Sequence, residues 1–290
     1  MKKDTFLAEG IQELPNFFDP VASKYLLETA LKTRNLPEIF LTEAECRAEF
    51  RTGKKFIQFS PQPGRNLIEK LNTNFIFSST KFQEEMVKVC GEKWKILDCK
   101  LVMGVPFKYI PNWLNAELDG KLVANLGPYV KEQYRDITYF RGIYFHQDNI
   151  DFPDRAADFI TAYLYLDDVD ENTSPIHLLL RSHVLGASVF PYKLEEINSG
   201  NYKYINDFGD QTICQLKILT GGAGSLYYWH SSILHGTLPH INDKPRLSLR
   251  IIIAKNSETH TSCLLDQLNS EIKGNLSLTQ TKAKFGLKEK

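Results

Sequence analysis

From about residue 97 the chain breaks into short apolar or alternating runs, each bounded by Gly, Pro, Asn or Asp, with no helical pattern between them. The runs are Ile96 to Val105, Gly142 to Phe145, Phe159 to Leu166, Ile176 to Leu180, Thr212 to Leu219, Gly224 to Trp229 and Leu247 to Ala254. Parallel strands need long crossover connections, usually helices, so this texture argues against a parallel α/β sheet and predicts an antiparallel sandwich or barrel. The first third reads differently. Asp19 and Pro20 supply a helix cap and a first turn, and Leu26, Leu27, Ala30 and Leu31 recur on one face, predicting a helix over about 20–34. Leu67, Leu71 and Phe75 predict a second helix after Pro63-Gly64. Thr80 and Gln83, spaced as a capping box ahead of Phe82, Met86 and Val89, predict a third. The expected chain is a single domain, mainly β with flanking helices. Residues 1–96 give helical support packed on one sheet, 97–256 the β core and 257–290 a C-terminal tail, solvated from 270 onward. The mixed-polarity stretch 106–140, with Trp113, Tyr129, Tyr134 and Tyr139 as apolar walls, has the character of a lid.

Charge and cysteine usage narrow the function classes. The chain carries 35 Lys plus Arg against 35 Asp plus Glu, a formal net charge of zero, which argues against a protein that tracks nucleic-acid phosphates. No apolar run reaches a membrane span, and Met1-Lys2-Lys3-Asp4-Thr5 is followed by no apolar signal core, so a cytoplasmic protein without membrane insertion is expected. The 5 cysteines include no CxxC pair and read as buried small hydrophobes.

The residues able to do chemistry begin with Phe145-His146-Gln147-Asp148 at the end of a short strand. In an extended chain i and i+2 share a face, so His146 and Asp148 can converge while Gln147 points elsewhere. A third arm has to come from a distant strand, where His230, His235 and His240 are available. Two His and one carboxylate on one face leave coordination positions open, the arrangement of non-haem Fe(II) oxygenases.

Taken together the motifs resemble the phytanoyl-CoA dioxygenase-like branch of the Fe(II)/2-oxoglutarate-dependent oxygenases. Gly10-Ile11 through Asn16-Phe17-Phe18 is similar to that family's opening strand and helix, and His146-Gln147-Asp148 to its metal motif. Leu166-Asp167-Asp168-Val169-Asp170-Glu171-Asn172 with Ser182-His183 is similar to its middle signature, though without the family's usual Asn-Gly and Pro-Gly. His235-Gly236-Thr237, with Arg246 eleven residues beyond His235, has its ligand-to-arginine spacing. The resemblance implies a double-stranded β-helix (jelly-roll, cupin-like) core and iron held by His146, Asp148 and His235. It also implies Arg246 on the distal carboxylate of 2-oxoglutarate, with Gln147 and Thr237 close to that co-substrate. Tyr163 stands where human-type members carry a tryptophan, and is a further candidate for the co-substrate site. The implied cofactors are Fe(II), 2-oxoglutarate and dioxygen. The implied reaction is hydroxylation of a small molecule, with succinate and CO2 formed; desaturation or ring formation is open to the same chemistry. Asp148, being a carboxylate, vacates no ligand position for chloride.

Several residues compete for these roles. His230, five residues before His235, falls on the opposite strand face and reads as structural or pocket-lining. His240 reads as a loop residue, His183 as ordering a loop, and His177 as a core or pocket residue. Asp151 has odd spacing from His146. Arg250 shares strand parity with Arg246, so periodicity leaves both open for the co-substrate and only the family spacing favours Arg246. Two other functions use the same residues: a zinc-type hydrolase on the same pair of histidines and one carboxylate, which has no use for Arg246, and a non-catalytic jelly-roll binding protein. The substrate and the oligomeric state are not written in the sequence.

Overall fold

The computed structural model describes residues 4–51, 61–190, 192–238, 240–256 and 262–284. Among these residues twelve strands run in chain order as β1 (Ile11–Leu14), β2 (Lys95–Gly104), β3 (Val123–Asn125), β4 (Thr138–His146), β5 (Phe159–Tyr165), β6 (Ile176–Leu180), β7 (Lys193–Asn198), β8 (Asn201–Ile205), β9 (Gln211–Ile218), β10 (Leu226–His230), β11 (His235–Thr237) and β12 (Arg246–Ala254). They pair in the order β1-β10-β5-β12-β2-β4-β11-β6-β9-β8-β7, with β3 on β4. Among the described residues every pairing between these strands is antiparallel except the short contact of Val102–Gly104 with Thr138–Phe140. That parallel contact joins two halves, β1-β10-β5-β12-β2 and β4-β11-β6-β9-β8-β7. The strands β2, β4, β5, β6, β9, β10, β11 and β12 contribute four to each half and cross repeatedly between them, which is the winding of a double-stranded β-helix.

Side-chain parity explains what each half buries. On β5, Ala162 and Leu164 face the helices, together with Leu249 and Ile251 of β12, Leu226 and Tyr228 of β10, and Leu101 and Met103 of β2. The alternate residues Tyr163, Tyr165, Tyr227, Trp229 and Val102 face inward onto Ile176 and Leu178 of β6. Both faces are covered, so β5 and β12 are buried along their whole length; β5 reads as a largely apolar run, while β12 alternates Arg246, Ser248 and Arg250 with Leu247 and Leu249.

The helices are α1 (Thr5–Glu9), α2 (Pro20–Leu31), α3 (Glu43–Arg51), α4 (Asn74–Phe77), α5 (Thr80–Cys90), α6 (Asn112–Glu117), α7 (Leu264–Ser270) and α8 (Leu278–Lys284). Asp19 caps α2 by accepting from the amides of Val21 and Ala22, as expected. The predicted helix through Leu67, Leu71 and Phe75 is instead a 3-10 turn, Leu67–Lys70, followed by α4. Leu71 is extended, and the Asn72 side chain accepts from the Asn74 amide, so local Asx bonding outcompetes the helical repeat. On α5 the cap is Ser79 rather than Thr80, and Gln83 donates to the Phe77 carbonyl instead of closing a box.

Two expectations are corrected. The segment 106–140 is not a free lid: Ile110, Leu114, Leu118, Leu126, Val130 and Ile137 are buried in the helix-side core, where Trp113, Tyr129 and Tyr134 also pack. Nor is the tail solvated throughout from 270 onward, since Ser277, Leu278 and Thr281 are buried and the Lys273 amide donates to the Val184 carbonyl. Short amphipathic turns in both segments lack the periodicity that would announce them. Among the described residues no helix is long and apolar enough to cross a membrane, and the five cysteines are free.

Candidate metal centre and its cavity

Antiparallel register places His235 of β11 directly opposite His146 of β4, with ring centroids 4.2 Å apart. Gln147 keeps an extended backbone, so the strand's two-residue alternation persists one step past β4 and returns Asp148 to the face of His146. One ligand atom each from His146, Asp148 and His235 lies within 4.8 Å of the other two. The two imidazoles are set by the same device. Nδ1 of His146 donates to the Tyr144 carbonyl at 3.1 Å and Nδ1 of His235 to the Ile233 carbonyl at 3.0 Å. A carbonyl only accepts, so each ring carries its proton on Nδ1 and offers the Nε2 lone pair to the centre.

The charge states suit a cation. Burial holds His235 down to about 3, against the opposing pull of Asp148, so the ring is neutral. Burial pushes the Asp148 carboxyl up, but the Arg250 guanidinium and the Thr161 hydroxyl help to bring it well below the ordinary carboxylate range. Two imidazoles and one carboxylate are a donor set for a divalent first-row metal, so the residues present fit the metal expected.

The three side chains open into a cavity of about 480 Å³, also lined by Lys100, Asn125, Thr138, Phe140, Tyr163 and Arg246. The two candidate arginines of β12 differ sharply here. Arg250 is fully engaged, with Nη1 on Asp98 at 3.0 Å and Nη2 on both Asp148 at 2.6 Å and Asp151 at 2.9 Å. Arg246 is equally buried, yet among the described residues its Nε and Nη1 have no hydrogen-bond partner. Along the register, Ser248 of β12, Val102 of β2 and Thr138 of β4 stand side by side, and the Ser248 and Thr138 hydroxyls are likewise unpartnered. A buried guanidinium without a counter-charge is costly, so an anionic ligand is the natural complement to this end of the cavity.

The remaining expected residues divide. Thr237 and Tyr163 line the cavity; Tyr163 stacks on Trp229 at 5.3 Å, and burial pushes its phenol up to about 12, which keeps it neutral. Gln147 does not face the cavity. Its Nε2 donates to the Gly186 and Ser232 carbonyls and its Oε1 accepts from the Ser188 amide, so its carboxamide secures loops behind the centre. His230 is structural, bonded to Asn269 and to the Ser232 amide. His177 packs edge-on against Phe145. His240 is buried beside Arg246 rather than loose in a loop. Asp151, set aside for its spacing, shares Arg250 with Asp148. Thr161 was missed as well, although it alternates with Tyr163 on β5 and donates to Asp148 at 2.5 Å.

Fold and site thus define a double-stranded β-helix protein with a His-Asp-His cluster at one end of an internal cavity. Among solved structures, the chain is similar to a non-heme monooxygenase, ThoJ in its apo form, at a TM-score of 0.51 and 13% identity, covering 87% of this chain and 76% of that one. It is similar also to SnoN, described as a non-heme alpha ketoglutarate dependent epimerase from nogalamycin biosynthesis, at a TM-score of 0.51 and 12% identity, covering 87% and 80%. At such identities the likeness is one of fold. No protein-family model matches the chain, and no curated protein matches it.

Proposed function

We propose that this chain is an Fe(II)- and 2-oxoglutarate-dependent oxygenase of the phytanoyl-CoA dioxygenase-like kind, hydroxylating an unactivated C–H bond of a small molecule. One observation carries the reading: the His146, Asp148 and His235 cluster shares one cavity with an Arg246 guanidinium whose Nε and Nη1 lack partners among the described residues. A hydrolase built on the same three ligands gives Arg246 no task. Fold likeness to a monooxygenase and an alpha ketoglutarate dependent epimerase is in keeping with it. Five free cysteines suit a reducing, cytoplasmic setting.

His146, Asp148 and His235 would hold the iron, and Arg246 would take the distal carboxylate of 2-oxoglutarate as a planar fork, with Thr138 and Ser248 as hydroxyl donors. Bound there, the pair would supply oxidation of a C–H bond coupled to release of succinate and CO2. The chain's own work is placement. Nδ1 bonds to the Tyr144 and Ile233 carbonyls fix the two imidazoles, and Tyr163, Phe140 and Ile176 give the cavity apolar walls that exclude water.

Anaerobic titration with Fe(II) and then 2-oxoglutarate is expected to develop a weak visible charge-transfer band, and admission of oxygen to yield succinate. His146→Ala, Asp148→Ala and His235→Ala are each expected to abolish both. Metal-dependent hydrolysis without 2-oxoglutarate or oxygen, or full turnover in all three variants, would overturn the reading.

A further inference from the structure

Arg250 is a positioning residue built around a metal ligand, and its contacts specify how that ligand is presented. The two oxygens of Asp148 are held differently. Oδ2 lies 3.3 Å from Nε2 of His235 and accepts from the Thr161 hydroxyl, so it is the oxygen on the side of that ligand atom. Oδ1 accepts from Nη2 of Arg250 at 2.6 Å. The guanidinium cannot follow Oδ1 if the carboxylate rotates, because it is anchored twice more: Nη1 on Asp98 at 3.0 Å and Nη2 on Asp151 at 2.9 Å. Lys100 Nζ lies 3.1 Å from the same Asp98 oxygen. Backbone register adds a fourth restraint, since Arg250 pairs with Tyr163 of β5 and with Lys100 of β2, deep in the sheet rather than at an end.

We infer that this Arg250 clamp makes Asp148 bind the metal through one oxygen, Oδ2, and so keeps a coordination position free for the co-substrate. The inference rests on the proposed iron and 2-oxoglutarate site. A carboxylate left to itself can chelate a divalent cation with both oxygens. Two imidazoles and a chelating carboxylate fill four of six octahedral positions, and a two-point ligand plus dioxygen then no longer fit together. With Oδ1 committed to Arg250, three positions stay open. Arg246 and Arg250, four residues apart on the inner face of β12, therefore divide the work: one keeps two nitrogens open for an incoming anion, and the other is saturated to discipline a resident one.

The test compares the unmutated protein with Arg250→Lys, which keeps the charge but loses the fork, each loaded with Co(II). The Co(II) visible spectrum reports coordination number, and 2-oxoglutarate is then titrated onto the loaded protein without oxygen. In Arg250→Lys, Co(II) is still bound, its spectrum shifts, and 2-oxoglutarate affinity falls about tenfold or more, the scale usual for groups that orient metal ligands. A spectrum and a 2-oxoglutarate affinity both equal to those of the unmutated protein would overturn the clamp and leave Arg250 as charge compensation. Should Arg250→Lys not fold, Arg250→Gln combined with Asp151→Asn removes one charge of each sign and carries the same comparison. If the unmutated protein itself binds neither Co(II) nor 2-oxoglutarate, the function proposed above has failed instead, and the two failures are told apart by the protein in which they occur.

Discussion

Replacing Arg246 by Met separates function from stability in opposite directions. The side chain is 3% exposed and two of its donor nitrogens have no partner among the described residues. Leaving a buried donor unpaired costs about 1–3 kcal/mol, and more when the group is charged. Met retains the aliphatic stem and removes the guanidinium, so Arg246→Met is expected to stabilise the ligand-free protein by about 2 kcal/mol. With an unfolding entropy near ~2 cal/mol/K per residue, a chain of this length should melt about 3 °C higher. The metal-loaded unmutated protein behaves differently: at about 100 times the dissociation constant, 2-oxoglutarate adds about 2.7 kcal/mol, or about 4–5 °C. The variant should lose nearly all of that increment, because truncating one side of a buried charge pair costs about 2–5 kcal/mol of binding. Thermal melts of both proteins, loaded with Co(II) and stepped through 2-oxoglutarate concentrations without oxygen, read both effects at once. A variant that melts lower than the unmutated protein when ligand-free, yet keeps its 2-oxoglutarate increment, would refute the reasoning.

Gln147→Leu removes three buried hydrogen bonds to backbone groups, so denaturant unfolding should show a loss of about 2–4 kcal/mol, while 2-oxoglutarate affinity of the folded fraction stays near that of the unmutated protein. An affinity loss without a stability loss would return Gln147 to the co-substrate. Burial holds His177 and His230 down to about 4 each. The unfolded chain therefore takes up these protons first, and stability is whole above pH 6.5 and drains as the pH falls towards 4, by up to about 3 kcal/mol per ring. Urea midpoints measured from pH 7.5 to 4 should show that slope, and His230→Gln should make it shallower. At Gly236 an added Cβ would lie 2.5 Å from the Ile143 carbonyl oxygen and 3.0 Å from Nε2 of His177. Gly236→Ala should therefore displace β11, cost about 1–3 kcal/mol by overpacking, and weaken Co(II) binding through the neighbouring His235. Unaltered Co(II) affinity would show that β11 yields without moving His235.

The strand skeleton was legible because a strand writes itself locally. All seven expected runs are strands, from β2 through β12, since two-residue alternation and Gly or Pro punctuation need no knowledge of what the strand packs against. Strands β7 and β8 were missed because they extend the sheet outward and are rich in polar side chains such as Glu195, Glu196 and Lys203, although Tyr202 and Tyr204 of β8 share an inward face. The short helices α3, α7 and α8 were missed for a related reason: among the described residues each buries only one or two side chains. Of the candidate site residues, His146 and Asp148 follow from spacing, because an extended backbone fixes their common direction within two residues.

The sequence by itself determined the antiparallel class, the His146–Asp148 pair and a short set of partners for it, all through separations of a few residues that backbone geometry translates directly into direction. Residue spacing alone left open which histidine joins His146 and Asp148 in one cluster and which arginine keeps unpartnered nitrogens; tertiary structure separates them. His235 meets His146 through register between strands almost ninety residues apart in the chain. Arg246 and Arg250 share a strand, a face and a chemistry, and differ only in what stands opposite them. Asp98, Asp148 and Asp151 surround one, while no partner meets Nε and Nη1 of the other among the described residues. Hydrogen bonding and charge compensation act through space over a few ångströms, and the neighbours that satisfy or abandon a buried guanidinium come from segments whose proximity no local pattern encodes.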